Sequence, residues 1–315
     1  MHPALSIVLF TTAAGAGFGL IIVLGLGAPL GYLPAGGWFA FVALAVATAL
    51  AALGLFASVF HLGRPERAWR AFSQWRSSWL SREGVCAVAT FVPTAIFGIG
   101  WVFFSATSGI AGLCAILGAA LAAATIYCTG MIYHSLKPVH QWRNAWVVPG
   151  YFGLGLMSGL LVLDLLLRIW RRPAPGWTLV TVLAVAAGWV IKERYWLAVD
   201  TTAGPSTPAS ATALGRRGRV RLVEGPHTQD NYLLKEMGFQ IARKHGRRLR
   251  WIARLAGFVV PLAASVIAGL VGHGPAIAAA GLAVASAALG LVVERWLFFA
   301  EARHTVTLYY GADAV

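Results

Sequence analysis

Residues 4–28 read ALSIVLFTTAAGAGFGLIIVLGLGA, a run of 25 residues without a single ionisable side chain. A helix of about 20 apolar residues is long enough to cross the hydrocarbon core of a bilayer. The run therefore predicts a membrane-spanning helix. Its many glycines and alanines also predict close contact with other helices, because small residues let helix backbones approach each other in a membrane.

Runs of the same kind recur along the whole chain. There are eight, at residues 4–28, 38–60, 84–105, 109–135, 149–171, 176–196, 251–272 and 275–300. Of the 315 residues, 58% are hydrophobic and 11% are charged, whereas about 25% of the residues in a soluble domain are charged. This composition excludes an ordinary soluble enzyme and a disordered protein. It predicts an all-α polytopic membrane protein, a bundle of eight transmembrane helices.

The basic residues are distributed unevenly about these spans. With eight spans, both termini and the even-numbered loops share one side, which holds 22 of the 25 lysines and arginines; the other side has Arg168, Arg171 and Arg172. The positive-inside rule then predicts a protein of the inner (cytoplasmic) membrane with both termini in the cytoplasm. The net charge of +14 is thereby explained as a topology signal, and no nucleic-acid partner is expected.

We divide the chain into residues 1–196, with the first six helices, a cytoplasmic loop at 197–249, and residues 250–315, with the last two helices and the tail. In the loop, a short amphipathic helix is predicted from Asn231 to about His245. It can lie on anionic membrane lipid, or it can dock a soluble partner, which the polar segment PHTQDNY favours. The cations expected to face such a partner are Arg243, Lys244, Arg247 and Arg248.

The loop after the second span reads FHLGRPERAWRAFSQWRSSWLSREG. His61 lies on the last turn of span two and Glu83 on the first turn of span three. An imidazole can hydrogen-bond a quinone carbonyl, and a nearby carboxylate can exchange protons with a quinone. Three tryptophans can line such a pocket: Trp69, Trp75 and Trp79. A capped helix hairpin with an interfacial aromatic belt explains the same residues, so the residues alone leave both interpretations open.

Part of this loop has an echo later in the sequence. Residues 60–69 and 133–142 share an aromatic residue, a histidine, a basic residue, a proline and a tryptophan at the same spacing. The echo suggests that spans one and two are related to spans three and four, with His61 and His134 facing a common cavity. Two histidines are the minimum for bis-imidazole haem ligation, but no histidine lies in the middle of a span, which argues against a haem b.

Several motifs resemble a known family. They are HLGxPxRA after span two, MIYxSLKPVxxW after span four, KxxYW ending span six and RWLFFAEARHxVTLYYG at the C-terminus. Together they resemble the DMSO reductase anchor-subunit family (DmsC type) almost from end to end. The loop motif GRVRLVEGPHTQDNYLLKEMGFQIARKH is more similar to the anchor subunit of the cytoplasmic sulfite dehydrogenase within that family.

The resemblance implies an anchor that has no substrate catalysis of its own. Its partners would be an iron–sulfur electron-transfer subunit and a molybdopterin catalytic subunit, which hold those cofactors. The anchor would pass electrons to the quinone pool, ubiquinone or menaquinone, with sulfite as the substrate oxidised. The alternative is a quinol-oxidising anchor of a DMSO or other S- or N-oxide reductase. The family's quinone-site residues carry over onto His61, Leu62, Gly63, Arg67 and Glu83.

Two other classes of membrane protein fit less well. A di-haem b-type anchor requires pairs of histidines inside its spans, and these are absent. A secondary transporter shows inverted repeats and helices broken at the bilayer midplane, whereas the echo here is parallel and lies at the membrane boundary.

Overall fold

The computed structural model describes residues 4–60, 64–173, 175–202, 204–218, 220–224, 241–313 and 315. For residues 217 and 241–244 it describes the backbone alone. Eight helices in these ranges are long and apolar enough to cross a membrane, which confirms the predicted fold class.

The eight long helices are named α1 to α8. Their bounds are Leu5–Gly27 (α1), Gly37–Val59 (α2), Trp79–Phe104 (α3), Gly109–His134 (α4), Val147–Ile169 (α5), Pro175–Thr201 (α6), the continuous run Ile241–Arg254, Leu255–Val259 and Val260–Leu270 (α7), and His273–Ala300 (α8). Their ends lie within five residues of the predicted spans except at the start of α7. The predicted amphipathic helix falls mainly outside the described residues, and the backbone from Ile241 onward is already part of α7.

The connections on one side of the bundle contact one another. This side, where α1 begins and α8 ends, is called the terminal face. On it, Val139 of the α4–α5 connection forms an isolated antiparallel bridge with His304, and the Tyr309 hydroxyl donates a hydrogen bond to the Ala211 carbonyl at 2.9 Å. His304 Nδ1 accepts the Val306 N–H, and burial lowers the pKa of His304, which keeps this acceptor unprotonated. The tail is therefore fixed to two separate loops.

Helix α7 is irregular near its middle. Its backbone forms a π-helical turn at Leu255–Val259, shortly before Pro261. In such a turn a carbonyl pairs with the N–H five residues later, and for Ala256 that residue is the proline, which has none. The Ser286 hydroxyl of α8 donates to the Ala256 carbonyl instead, at 2.8 Å. The irregularity is thus compensated by a neighbouring helix, as membrane burial requires.

Helix α1 occupies the centre of the bundle, in contact with α2, α4, α5 and α8. A Cβ added at Gly19 would lie 2.0 Å from the carbonyl oxygen of Gly155 on α5. A Cβ added at Gly17 would lie 2.3 Å from the backbone nitrogen of Ala51 on α2. Two helix crossings thus depend on direct backbone contact, which is the usual reason for glycine at helix interfaces in membranes.

Replacing Gly19 with alanine should lower the stability of the bundle by about 1–3 kcal/mol, the usual cost of overpacking. The measurement is the thermal unfolding midpoint of the detergent-solubilised protein. Gly281→Ala on α8 is the matched control, because a Cβ there meets nothing within 4 Å and gains the same helix propensity. Equal midpoints for the two variants would contradict the proposed importance of this crossing.

Candidate functional site

A cavity of about 550 Å³ lies near the terminal face, between the ends of α1 to α4 and the 3₁₀ segment Pro65–Phe72. This volume is in the range typical of small-molecule sites. Most of its lining is apolar and comes from all five elements: Ile7, Phe10, Leu55, Val59, Phe72, Leu80, Ala87, Val88 and Ile132. Its more polar lining consists of Ser58, Trp69, Glu83 and Tyr133. The cavity is therefore suited to a largely apolar ligand.

Glu83 is the only carboxyl group among the described residues that line the cavity. It lies on the first turns of α3, and 3% of the residue is exposed. Its Oε1 contacts the hydroxyl of Thr129 on α4. That hydroxyl also lies 3.0 Å from the carbonyl oxygen of Thr125.

The contact with Thr129 allows either protonation state of Glu83. A hydroxyl has one hydrogen to donate and can also accept. Thr129 can donate to an ionised Glu83, or it can donate to the Thr125 carbonyl and accept a hydrogen bond from a protonated Glu83. Rotation of one hydroxyl group thus accommodates Glu83 with or without a proton.

The other sequence-predicted residues of this site occupy different positions. His61, Leu62 and Gly63 lie outside the described residues. Arg67 is on the 3₁₀ segment, where its Nε lies 3.9 Å from Glu66 and about half of its side chain is exposed. Arg67 is absent from the cavity lining, although its neighbour Ala68 is part of it.

The three tryptophans of the loop have different surroundings. Trp69 lines the cavity. Trp79 makes an edge contact with Tyr127, its ring centre 5.8 Å away, and the guanidinium of Arg82 lies 4.3 Å from its ring centre. Trp75 is more than half exposed. Of these three residues, only Trp69 forms part of the cavity wall.

His134 does not line this cavity in the described structure; its neighbour Tyr133 does. The Nδ1 atom of His134 lies 3.1 Å from the carbonyl oxygen of Asn144, so the ring is in contact with the α4–α5 connection. Tyr133 stacks on Tyr151 of α5 with the ring centres 5.6 Å apart. The cavity wall thus includes the neighbour of His134 and not His134 itself, and a cavity shared by His61 and His134 stays a prediction because His61 lies outside the described residues.

A second cavity, of about 830 Å³, lies on the terminal face between the end of α6, the start of α7 and the C-terminal tail. Its lining contains Arg247, Arg250, Arg254, Arg303, His140, Asp200 and Glu301. Arg250 pairs with Asp200 and Glu301 at 2.6 Å and 2.9 Å, and Arg254 pairs with Glu193 at 2.5 Å.

Of the four cations predicted to face a partner, the side chains of Arg247 and Arg248 are described. Both are exposed, and neither forms an ion pair with the described residues. For Arg243 and Lys244 the structure gives only the helical backbone.

A buried ionic cluster escaped the sequence analysis, which counted Lys192 and Arg295 among the loop-side charges. The structure corrects this, because both residues lie within helices. Lys192 Nζ on α6 contacts Glu294 Oε1 on α8, and Arg295 Nε lies 2.5 Å from Glu294 Oε2. Their position inside apolar runs was the available signal, since ionisable residues inside membrane spans usually mark functional sites.

Comparison with known proteins agrees with this architecture. The family model described as "DMSO reductase anchor subunit (DmsC)" matches residues 1–311. A sulfite dehydrogenase subunit of Allochromatium vinosum is 31% identical over the full length of both proteins. A subunit of the anaerobic dimethyl sulfoxide reductase of Escherichia coli is 28% identical over 45% of the present protein and 50% of its own length. The chain belongs to the DMSO reductase anchor subunit (DmsC) family and is a multi-pass membrane anchor subunit.

Proposed function

We propose that this anchor exchanges electrons between an iron–sulfur subunit and the membrane quinone pool, and that the 550 Å³ cavity beside Glu83 is its quinone site. The observation that carries the proposal is the combination of an apolar cavity with one buried carboxyl group. A bound quinone supplies two-electron, two-proton chemistry. The apolar walls suit its ring and tail, and burial excludes water from them.

The residues of the chain have separate tasks at this site. Glu83 takes up or releases protons, and Thr129 stabilises either of its protonation states by the hydroxyl rotation described above. His61 and Gly63 are assigned to the site from the sequence, with His61 as the group that hydrogen-bonds a quinone carbonyl. Arg67, exposed at the edge of the 3₁₀ segment, contributes a positive charge near the entrance and not within the cavity.

Sulfite oxidation with quinone reduction is the direction of electron flow that the comparisons favour. The similarity to the sulfite dehydrogenase protein covers both sequences completely, whereas the similarity to the dimethyl sulfoxide reductase protein covers 45% of this one. Oxidation of sulfite would take place on a molybdopterin subunit, with an iron–sulfur subunit between it and the anchor. Quinol oxidation for an S- or N-oxide reductase is the alternative.

Both partner subunits are placed in the cytoplasm by this proposal. The terminal face carries most of the basic residues, which supports a cytoplasmic orientation, and the exposed cations Arg247 and Arg248 lie on it. The candidate quinone site is near the same face, so the distance for electron transfer from a docked iron–sulfur subunit is short.

Glu83→Gln should lower the rate of sulfite-dependent reduction of a short-chain quinone in membranes by about 100-fold or more, because a positioned proton-transfer group contributes at least that much. His61→Ala should lower it as well. Both variants should assemble and reduce an artificial acceptor at the soluble subunits at the normal rate. Glu66→Gln removes an exposed carboxylate from the same loop and should have no effect.

Full sulfite–quinone activity in both Glu83→Gln and His61→Ala would place the quinone site elsewhere. Activity with an S- or N-oxide and quinol, without activity on sulfite, would instead support the reductase alternative.

Reporter fusions test the orientation of the terminal face. A reporter active only in the cytoplasm should work when fused after Val315 or inserted near Ala213. The same reporter should be inactive when inserted at Ser108 in the α3–α4 connection, which lies on the opposite face. An export-dependent reporter that is active at Val315 would reverse the orientation.

Charge reversal at Arg243, Lys244, Arg247 and Arg248 should release the soluble subunits at moderate salt, because charge pairs at an interface edge mainly affect association and are sensitive to salt. The anchor itself should remain in the membrane with the same topology. Charge reversal at Arg171 and Arg172, which are exposed on the opposite face, is the control. Unchanged co-purification of the quadruple variant would favour the alternative that this segment contacts lipid.

A further inference from the structure

We propose that the buried cluster Lys192–Glu294–Arg295, together with Tyr151 and Tyr133, conducts protons between the terminal face and the cavity beside Glu83. This inference rests on the proposed quinone function, since quinone reduction consumes two protons for every two electrons. Apart from Glu83, the only described residues of the cavity wall that carry a hydroxyl group are Ser58 and Tyr133.

The cluster lies well inside the protein. The exposed fractions of the side chains are 3% for Lys192, 0% for Glu294 and 6% for Arg295. Two cations and one carboxylate leave an excess positive charge in the bundle. Taking ions out of water carries a desolvation cost that pairing repays only with good geometry, so the excess cation of this cluster is unusual for a purely structural ion pair.

A second buried ion pair in the same bundle shows what a purely structural arrangement looks like. Asp164 and Arg168 of α5 form an i,i+4 pair at 2.7 Å, with no excess charge. Arg168 also donates to the Thr178 hydroxyl at 2.7 Å and to the Ala268 carbonyl. That network connects α5, α6 and α7 with its donors satisfied. In contrast, Arg295 Nη1 is buried without a hydrogen-bond partner among the described residues.

The cluster lies deeper in the helix bundle than the larger cavity of the terminal face. Glu294 and Glu301 are seven residues apart along α8 and its C-cap, so they lie on the same side of the helix about 10 Å apart. Glu301 lines the 830 Å³ cavity. The centre of the Tyr195 ring lies 3.8 Å from Lys192 Nζ. Polar groups therefore extend from that cavity to the cluster.

On the other side, the cluster is connected to the quinone-site cavity by two tyrosines. The guanidinium of Arg295 lies 4.4 Å from the centre of the Tyr151 ring. Tyr151 and Tyr133 stack with an interplanar angle of 4°. Tyr133 lines the cavity that contains Glu83. The buried hydroxyl of Tyr151 makes no hydrogen bond of normal geometry with the described residues, although Arg295 and Tyr133 lie close enough to interact with it.

A small pocket of about 20 Å³ adjoins Tyr151 and Arg295, which is room for about one water molecule. The pocket is also lined by the hydroxyl groups of Thr11, Thr12 and Ser158. Each of these hydroxyls donates a hydrogen bond to a backbone carbonyl of its own helix. While they donate to these carbonyls the hydroxyl oxygens can still accept, whereas Arg295 Nη1 and Tyr151 Oη can donate. A water molecule can donate to the hydroxyl oxygens and accept from Arg295 Nη1 and Tyr151 Oη. An anion would instead be repelled by the lone pairs of the hydroxyl oxygens. Water is thus the ligand that fits.

The proton balance of the route is simple. In the proposed route Lys192, which does not itself line the pocket, gives a proton toward the pocket water, and the water and tyrosine hydroxyls pass one on by accepting on one side and donating on the other. Lys192 then regains a proton from the side of Glu301. Arg295 keeps its proton, because a guanidinium does not deprotonate in proteins, and its charge holds Glu294 ionised. No group of the protein is changed after one transfer.

The test uses the complete complex in membranes, with two variants that should fold. Tyr151→Phe keeps the ring stack and removes only the hydroxyl. Lys192→Met leaves Glu294 and Arg295 as a neutral pair. Each should lower steady-state quinone reduction by about 100-fold, the lower end of a positioned proton-transfer contribution. Each should also raise the solvent deuterium isotope effect, with quinone affinity and artificial-acceptor activity unchanged. Tyr127→Phe, on α4 but more than 40% exposed, is the control.

The outcomes separate this inference from the quinone function itself. If Tyr151→Phe and Lys192→Met keep normal turnover and isotope effect while Glu83→Gln is impaired, the quinone site stands and the proton route is overturned. The route is also overturned if Lys192→Met lowers only the thermal stability, because the cluster is then a structural clamp. If Glu83→Gln is fully active as well, the proposed quinone function fails.

Discussion

A charge inside a membrane protein must be compensated within the protein, because the surrounding lipid offers neither water nor counter-ions. This constraint explains where the ionisable groups of the bundle lie. Asp164 and Arg168 neutralise each other between three helices. Glu83 faces a hydroxyl that accommodates it with or without a proton. The cluster centred on Glu294 holds an excess cation beside aromatic rings, whose faces also stabilise positive charge.

The packing of α1 determines where a cavity can form. Its glycines bring the backbones of α1, α2 and α5 into direct contact in the middle of the bundle, which leaves no space there for a ligand as large as a quinone. Toward the terminal face, α1 carries Ile7 and Phe10 instead, and these larger side chains line the 550 Å³ cavity. The cavity is therefore located where the close contact of small residues ends and the 3₁₀ segment covers the diverging helix ends.

The apolar runs were sufficient to predict the eight helices and most of their ends, because span length is set by bilayer thickness. The i,i+4 spacing of Asp164 and Arg168 within one helix is by itself enough to bring their side chains together. The contact between Lys192 and Glu294 joins helices about 100 residues apart in sequence, and one sequence does not give the neighbours or rotation of a helix. The position of Glu83 at a helix start was predictable, but its partner Thr129, on another helix, was not.

The two cavities and the groups between them have a common consequence for energy conservation. Oxidation of sulfite by water releases two protons and two electrons, and reduction of a quinone takes up two of each. If the protons and electrons both enter from the terminal face, no net charge crosses the membrane in a turnover. Near the opposite face, Thr178 donates a hydrogen bond to Asp164, and Arg168 donates one to the Ala268 carbonyl. This buried ion pair therefore does not continue the proton route. The anchor would therefore conserve little or no membrane potential by itself, and the energy of the reaction would be stored in the quinol.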